Sequence, residues 1–297
     1  MWLVLGTVGV LVALVSLLHV GATWLAPRVP FAYEVALAEQ LWGPAGPDTS
    51  RPAPEQAANQ ALQALADSLR QPLGVPPDMP IQVRVQDEPH VNAYATLGGR
   101  IVVFKGLLAK MQREDELAAL LAHEMAHVKH RHVAASMGRG VGVALLLSVF
   151  SASAGSEVAS GALGQGAGLL LQGYSREQEA QADADATRAV AQRYGHVGGV
   201  LRLFTTLQTQ QATTPPQAPA WLNSHPHTQD RHHTARQWAS GQGVAVEGGG
   251  GVAGGGEGVG RALSVAASHT GHNKHVRSPF PQRSDCIGFV PKTSPKS

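Results

Sequence analysis

The sequence predicts an α+β fold: a mostly helical body with a short β-sheet, preceded by one transmembrane helix. Three observations lead there. Apolar residues recur at helical spacing over 55–70 and again inside the run 114–137. Residues 81–85 alternate with period two, as a half-buried strand does. Residues 2–26 contain no charged side chain.

That uncharged segment reads WLVLGTVGVLVALVSLLHVGATWLA, from Trp2 to Ala26. About 20 apolar residues suffice for a helix to cross a bilayer, and Trp2 and Trp24 stand near its two ends, where aromatic rings favour the interface. A cleaved signal peptide needs a basic start and a small-x-small cleavage site, and neither is clear here. Residues 1–27 therefore read as an uncleaved anchor. Its orientation is weakly specified, because Arg28 is the one nearby basic residue and Glu34 and Glu39 follow it. Residues 28–54 read as a linker, Pro/Gly-rich from Gly43 to Pro54.

From Glu55 to Arg70, Ala58, Leu62, Leu65 and Leu69 recur at helical spacing and mark an amphipathic helix. Ile81–Val85 reads as a strand. Residues 91–96 and 100–104 flank Leu97-Gly98-Gly99, the pattern of a hairpin. An edge of such a sheet can pair with an extended peptide; a purely scaffolding hairpin fits the same residues.

The stretch with the most chemistry is Ala122-His123-Glu124-Met125-Ala126-His127. In a helix, His123 and His127 lie one turn apart on one face, a spacing that lets both imidazoles hold one zinc ion. Glu124 projects about 100° away around the helix, where it misses the metal but can meet a water beside it. Leu117, Leu120, Leu121, Met125 and Val128 surround the motif, and burying these polar groups among them without a cation would be costly. Glu114, Asp115 and Glu116 suit the positive end of the helix dipole, and Lys129, His130, Arg131 and His132 the negative end, with Gly138 as a terminator. His130 and His132 read as end-of-helix polar residues rather than ligands.

Residues 138–171 are small and apolar; the run Val141–Phe150 is too short to span a bilayer, and Glu157 interrupts the rest. A Gly/Ala-rich helix pair over the site is expected. A new helix starts near Ser175, with Gln178 three residues on as a capping box. Glu179 and Asp183 share a face of it at i, i+4. Glu179 can supply the third ligand that a catalytic zinc needs, and Asp183 can accept a hydrogen bond from a ligand histidine; a solvated acidic face is the plainer alternative.

Composition narrows the classes. Charged residues are 15% of the chain and the net charge is +2, so no nucleic-acid footprint is present. Cys286 is the single cysteine, which excludes an internal disulfide and a cysteine-rich zinc site. After Trp238 the Gly-rich composition cannot bury a core, and residues 239–297 read as a disordered tail.

Five stretches in order resemble the membrane-associated zinc metallopeptidases that include HtpX, BepA and the CAAX prenyl proteases. They are Val91-Asn92-Ala93-Tyr94, Gly99 to Leu108, Glu116 to His132, Tyr174 to Asp183, and Ser224-His225-Pro226 with Arg231. The resemblance implies a zincin-like metallopeptidase domain over 55–238 that holds one zinc ion per subunit through His123, His127 and Glu179. It implies Glu124 as catalytic base, and Asp183 as the aspartate of the family's E-x-x-x-D pattern, behind the metal. It likewise implies a supporting role for Arg231 and substrate contacts for Asn92 and Ala93. His225 matches a histidine that steadies the oxyanion or, in BepA-like members, caps the zinc as an inhibitory ligand. Gln181 stands where the family usually has Glu, and Ala186 where Gly is usual.

The expected activity is hydrolysis of peptide bonds in misfolded or envelope polypeptides. The expected setting is a single-pass protein of a bacterial inner membrane, with the catalytic domain in the periplasm. The rival class is a non-catalytic, zinc-stabilised chaperone or adaptor, for which the intact Glu124 would be unnecessary.

Overall fold

The computed structural model describes residues 28–46, 53–137, 173–213, 225 and 230–248, with positions 6, 10, 13, 16, 17 and 21. The anchor expected over 1–27 lies for the most part outside these residues, as do the apolar segment 138–171 and the tail from 249. Among the described residues no helix is long and apolar enough to cross a membrane.

Helix α1 (Phe31–Trp42) forms inside the stretch that reads as a linker, burying Phe31, Glu34 and Ala38. Helix α2 (Ala53–Leu73) follows, and Ala58, Leu62, Leu65 and Leu69 are buried, as their spacing predicts. Strands β1 (Gln82–Gln86), β2 (Ala93–Thr96) and β3 (Arg100–Phe104) make one sheet in the order β1-β3-β2. β1 runs parallel to β3, and β2 runs antiparallel to it, pairing Ala93 with Val103 and Thr96 with Arg100. The hairpin turns through a single 3-10 turn at Leu97–Gly99, with Gly99 at φ 76°. A Cβ there would lie 1.8 Å from the Pro80 carbonyl oxygen, so only glycine fits.

Side chains of α2 close the outer edge of β1. Gln63 Oε1 accepts from Val83 N at 2.9 Å, Asn59 Oδ1 accepts from Val85 N at 2.7 Å, and Gln63 Nε2 donates to Ile81 O at 3.0 Å. This satisfies backbone groups that an open edge would leave without partners.

After a short helix α3 (Lys105–Leu108) comes α4 (Glu114–Lys129), which is buried from Asp115 to Val128. It packs against α2, β2, α5 (Arg176–Tyr194) and α6 (Gly198–Thr213). Leu117, Leu120, Leu121 and Met125 of α4 join Leu62, Leu69, Ile101, Leu203 and Leu207 in the core. The acidic start of α4 is tied down by its neighbours: Tyr194 Oη donates to Glu114 Oε1 at 2.9 Å, and Thr206 Oγ1 to Glu116 Oε1 at 2.5 Å. Helix α6 approaches this end so closely that a Cβ on Gly199 would lie 2.2 Å from Asp115 O.

Two boundaries differ from expectation. The helical run does not continue unbroken to Met137: α4 stops at Lys129, and Arg131 takes a left-handed backbone at φ 59°. That conformation costs about 1–2 kcal/mol for a residue with a Cβ. It is offset by what the turn gives the buried guanidinium, which donates to the Glu34 carboxylate, donates to Val29 O at 2.8 Å, and lies 5.2 Å from the Phe31 ring centroid. At the other end of the domain, α7 (Arg231–Gln242) continues past Trp238, and Val244 and Val246 still pack on the core. Val197 N donates to Ala245 O at 3.1 Å there.

Candidate metal centre

Helices α4 and α5 lie side by side, and their facing surfaces carry the site. The sequence-predicted start of α5 holds: Ser175 caps it, accepting from Gln178 N, while the Gln178 side chain accepts from Ser175 N. Fixing this first turn fixes Glu179 opposite the HExxH face of α4. Ligand atoms of His123, His127, Glu179 and His225 come within 4.8 Å of one another, and all four residues are buried.

The donor separations are specific. His123 Nε2 lies 3.1 Å from His127 Nε2 and 3.2 Å from His225 Nδ1. Glu179 Oε1 lies 2.9 Å from His225 Nδ1 and 3.3 Å from His127 Nε2, and its Oε2 lies 3.5 Å from His123 Nε2. Four ligands held about 2.0–2.1 Å from one tetrahedral ion stand about 3.3–3.4 Å apart. Glu124 is wholly buried beside the cluster, its Oε1 3.5 Å from His225 Nε2.

The outward side of the ligands is also built. His123 Nδ1 stands 2.9 Å from Asp183 Oδ1, an ion-pair contact that favours a proton on Nδ1 and leaves Nε2 for the centre. Arg231 Nε donates to Asp183 Oδ2 at 2.5 Å, a second guanidinium nitrogen donates to Oδ1, and that same nitrogen stands 3.7 Å from Glu179 Oε2. Burial would raise the Asp183 carboxyl, but Arg231 and His123 hold it below the usual carboxylate range. Burial would likewise raise Glu179, and the imidazoles of His225, His127 and His123 hold it well below that range. His127 is pushed well down by burial, with His123 and His225 adding to the effect, and is neutral near pH 7.

These residues fit a divalent cation. Two ring nitrogens, His123 Nε2 and His127 Nε2, stand 3.1 Å apart beside an ionised carboxylate, and Glu179 Oε2 is buried without a hydrogen bond. Acceptors packed this closely repel unless a proton or a cation lies between them.

The sequence profile described as Peptidase family M48 matches residues 56–239. The chain belongs to peptidase family M48. A divalent metal is what this metalloprotease family implies for the His-His-Glu-His cluster. The beta-barrel assembly-enhancing protease of Yersinia pestis is 30% identical over 171 residues, covering 54% of this chain and 35% of that protein. The mitochondrial metalloendopeptidase OMA1 of Schizosaccharomyces pombe is 28% identical over 163 residues, covering 54% and 47%. The metalloprotease YcaL of Escherichia coli is 28% identical over 167 residues, covering 55% and 64%. The chain thus spans less than two thirds of the length of each.

Within this M48 domain the structure brings together His123, Glu124, His127, Glu179, Asp183, His225 and Arg231. Asn92 and Ala93 stand at the start of β2: Asn92 O accepts from Phe104 N at 3.0 Å, and the Ala93 side chain is in the core. The sequence reading gave no site role to two neighbours. Tyr174 stacks on His127, with ring centroids 3.7 Å apart and planes at 18°. His132, expected to be an end-of-helix polar residue, is buried with its Nδ1 2.9 Å from His127 Nδ1, and its Nε2 lies 3.1 Å from Gln181 Oε1. A spacing of five residues is not a helical-face spacing, so only the break at Arg131 brings His132 beside His127. The signal for Tyr174 was its place just ahead of the Ser175 cap.

Proposed function

We propose that the chain is a zinc-dependent metalloendopeptidase hydrolysing peptide bonds, with misfolded or envelope polypeptides as substrates. The observation that carries this reading is the convergence of His123, His127 and Glu179, from two helices, at ligand separations, with Glu124 buried beside them. Zinc held there supplies Lewis-acid polarisation of the scissile carbonyl and a water acidified to about neutral pH. Glu124 accepts the proton of the attacking water and passes it to the leaving amine nitrogen. Asp183, held by Arg231, keeps His123 in its ligand tautomer. The donor side of β1 is taken up by Asn59 and Gln63, whereas β2 is the outer strand at the other edge and packs on α4. An extended substrate adds along the outer edge of β2, meeting Ala93 through the main chain and passing beside Asn92.

His225 steadies the developing oxyanion in this reading. A second role is favoured by distance: its Nδ1, 2.9 Å from Glu179 and 3.2 Å from His123, could serve as a fourth ligand to an ion held there, in which case His225 would act as an inhibitory latch. Replacing His225→Ala separates the two, since faster hydrolysis identifies a latch and slower hydrolysis an oxyanion donor.

The peptidase unit starts at 55 and extends past 238 through α7 to Val246, with 1–27 as a single-pass anchor, 28–54 as the tether that includes α1, and the residues beyond the domain as the tail. A relative named for β-barrel assembly supports a bacterial envelope setting, and the uncharged stretch 2–26 supports the inner membrane, with the domain on the periplasmic side. The test is the Glu124→Gln variant on an unfolded protein substrate. Hydrolysis should fall about 100-fold or more with zinc content unchanged; undiminished cleavage would remove Glu124 as the base. A chaperone or adaptor that used zinc for stability alone would show no cleavage in the wild type either.

A further inference from the structure

We infer that His132 and Gln181 form a positioning relay that decides which ring nitrogen of His127 carries the proton, and so whether His127 can act as a ligand. This rests on the reading of His127 as a metal ligand. His127 turns Nε2 toward the centre and Nδ1 toward His132 Nδ1, 2.9 Å away. The far nitrogen of His132, Nε2, lies 3.1 Å from Gln181 Oε1. Two ring nitrogens at that distance share one proton, so the relay has two consistent settings.

In the first, Gln181 Oε1 accepts from His132 Nε2–H, His132 Nδ1 accepts from His127 Nδ1–H, and His127 Nε2 presents a bare lone pair to the centre. In the second, the Gln181 amide is turned end for end and donates to His132 Nε2. The shared proton then sits on His132 Nδ1, the former His132 Nε2 proton is released to solvent, and His127 takes up one from solvent on Nε2, which points at His123 Nε2, 3.1 Å away. Only the first setting makes His127 a ligand.

The two ligand histidines are thus held differently. Behind His123 stands the Asp183 carboxylate, which can only accept. Behind His127 stands a neutral imidazole backed by a reversible amide. The relay is a built feature: His132 is 4% exposed, and it reaches His127 because Arg131 turns the backbone with its guanidinium pinned to Glu34 and Val29 O. Gln181 itself is exposed on α5, so changes there leave the core intact.

The experiment is zinc affinity of the full chain in detergent, by chelator competition near neutral pH, with imidazole nitrogen NMR to read the His127 tautomer. Gln181→Met keeps the side-chain length without an acceptor, and His132→Phe keeps a ring without nitrogens. Each should weaken zinc binding about 10–100-fold, the range for removing the partner behind a ligand histidine. Gln181→Glu, which can only accept, should bind at least as tightly as wild type and hold the proton of His127 on Nδ1. A Gln181→Met variant that binds like wild type, or a Gln181→Glu variant as weak as Gln181→Met, overturns the relay. His127→Ala is the control. If it alone loses zinc, the relay fails and the metal site stands; if it keeps wild-type affinity, both fail. Melting curves of Gln181→Met matching wild type exclude a folding defect as the cause of lost affinity.

Discussion

Arg231 spends its guanidinium on two carboxylates, donating to Asp183 through two nitrogens while one of them stands 3.7 Å from Glu179. The ion pair is buried, and Arg231 also stacks over the Phe204 ring at 4.5 Å. Removing one member of such a pair leaves the other buried and uncompensated, at about 3–5 kcal/mol. Arg231→Leu should therefore lower unfolding stability by about that amount in urea titration, and should weaken zinc binding through Asp183 by about 10-fold or more. Unchanged zinc affinity would show that Asp183 holds His123 without help. At this scale the sequence was most readable where chemistry and helical period coincide. His123 and His127 at i, i+4 and Glu179 and Asp183 at i, i+4 could be placed by counting. His132 could not, because its approach to His127 depends on one left-handed residue, Arg131, whose cause is Glu34, far away in the chain.

Helices α4 and α5 are joined a second time, outside the metal cluster. Asp185 on α5 accepts from Lys129 Nζ at 2.7 Å and His130 Nε2 at 2.8 Å, at the end of α4, and from Arg188 on its own helix. Burial alone would raise the Asp185 carboxyl, but His130 and Lys129 hold it well below the usual carboxylate range. A carboxyl depressed on folding binds its proton more weakly in the folded state. Its contribution is therefore complete above the unfolded pKa of about 3.9 and is lost as pH falls through the lower folded value. Asp185→Asn should cost about 1–3 kcal/mol near neutral pH, and the gap to wild type should close in strong acid when denaturation is followed across pH. A gap that stays constant, or widens on acidification, would contradict the assignment. Elements with strong periodicity or end signals were legible: α2, β1, the hairpin around Gly98-Gly99, and the Ser175 cap. Helix α1 was not, because the Pro/Gly-rich stretch from Gly43 to Pro54 beside it reads as a linker and its buried face consists of only Phe31, Glu34 and Ala38. The end of α7 was missed because Gly-rich composition masks Val244 and Val246, whose packing depends on the distant His196–Val197 turn.

At the scale of the molecule, a single buried helix, α4, connects every part of the account. Its start is tied to α5 and α6 through Glu114 and Glu116, its middle faces β2 and α5, and its end is held by α1 through Arg131. Such a frame fixes ligands before any ion arrives, which is what a metal site of defined geometry requires. The central claim is that His123, His127 and Glu179 share one zinc ion. X-ray absorption at the zinc edge, on the purified chain and on Glu179→Ala, tests it most directly. One zinc per chain is expected, with nitrogen and oxygen neighbours at about 2.0–2.2 Å and no sulfur, and a changed coordination shell in the variant. A chain that carries no zinc after loading, or a spectrum that Glu179→Ala leaves unaltered, would contradict it.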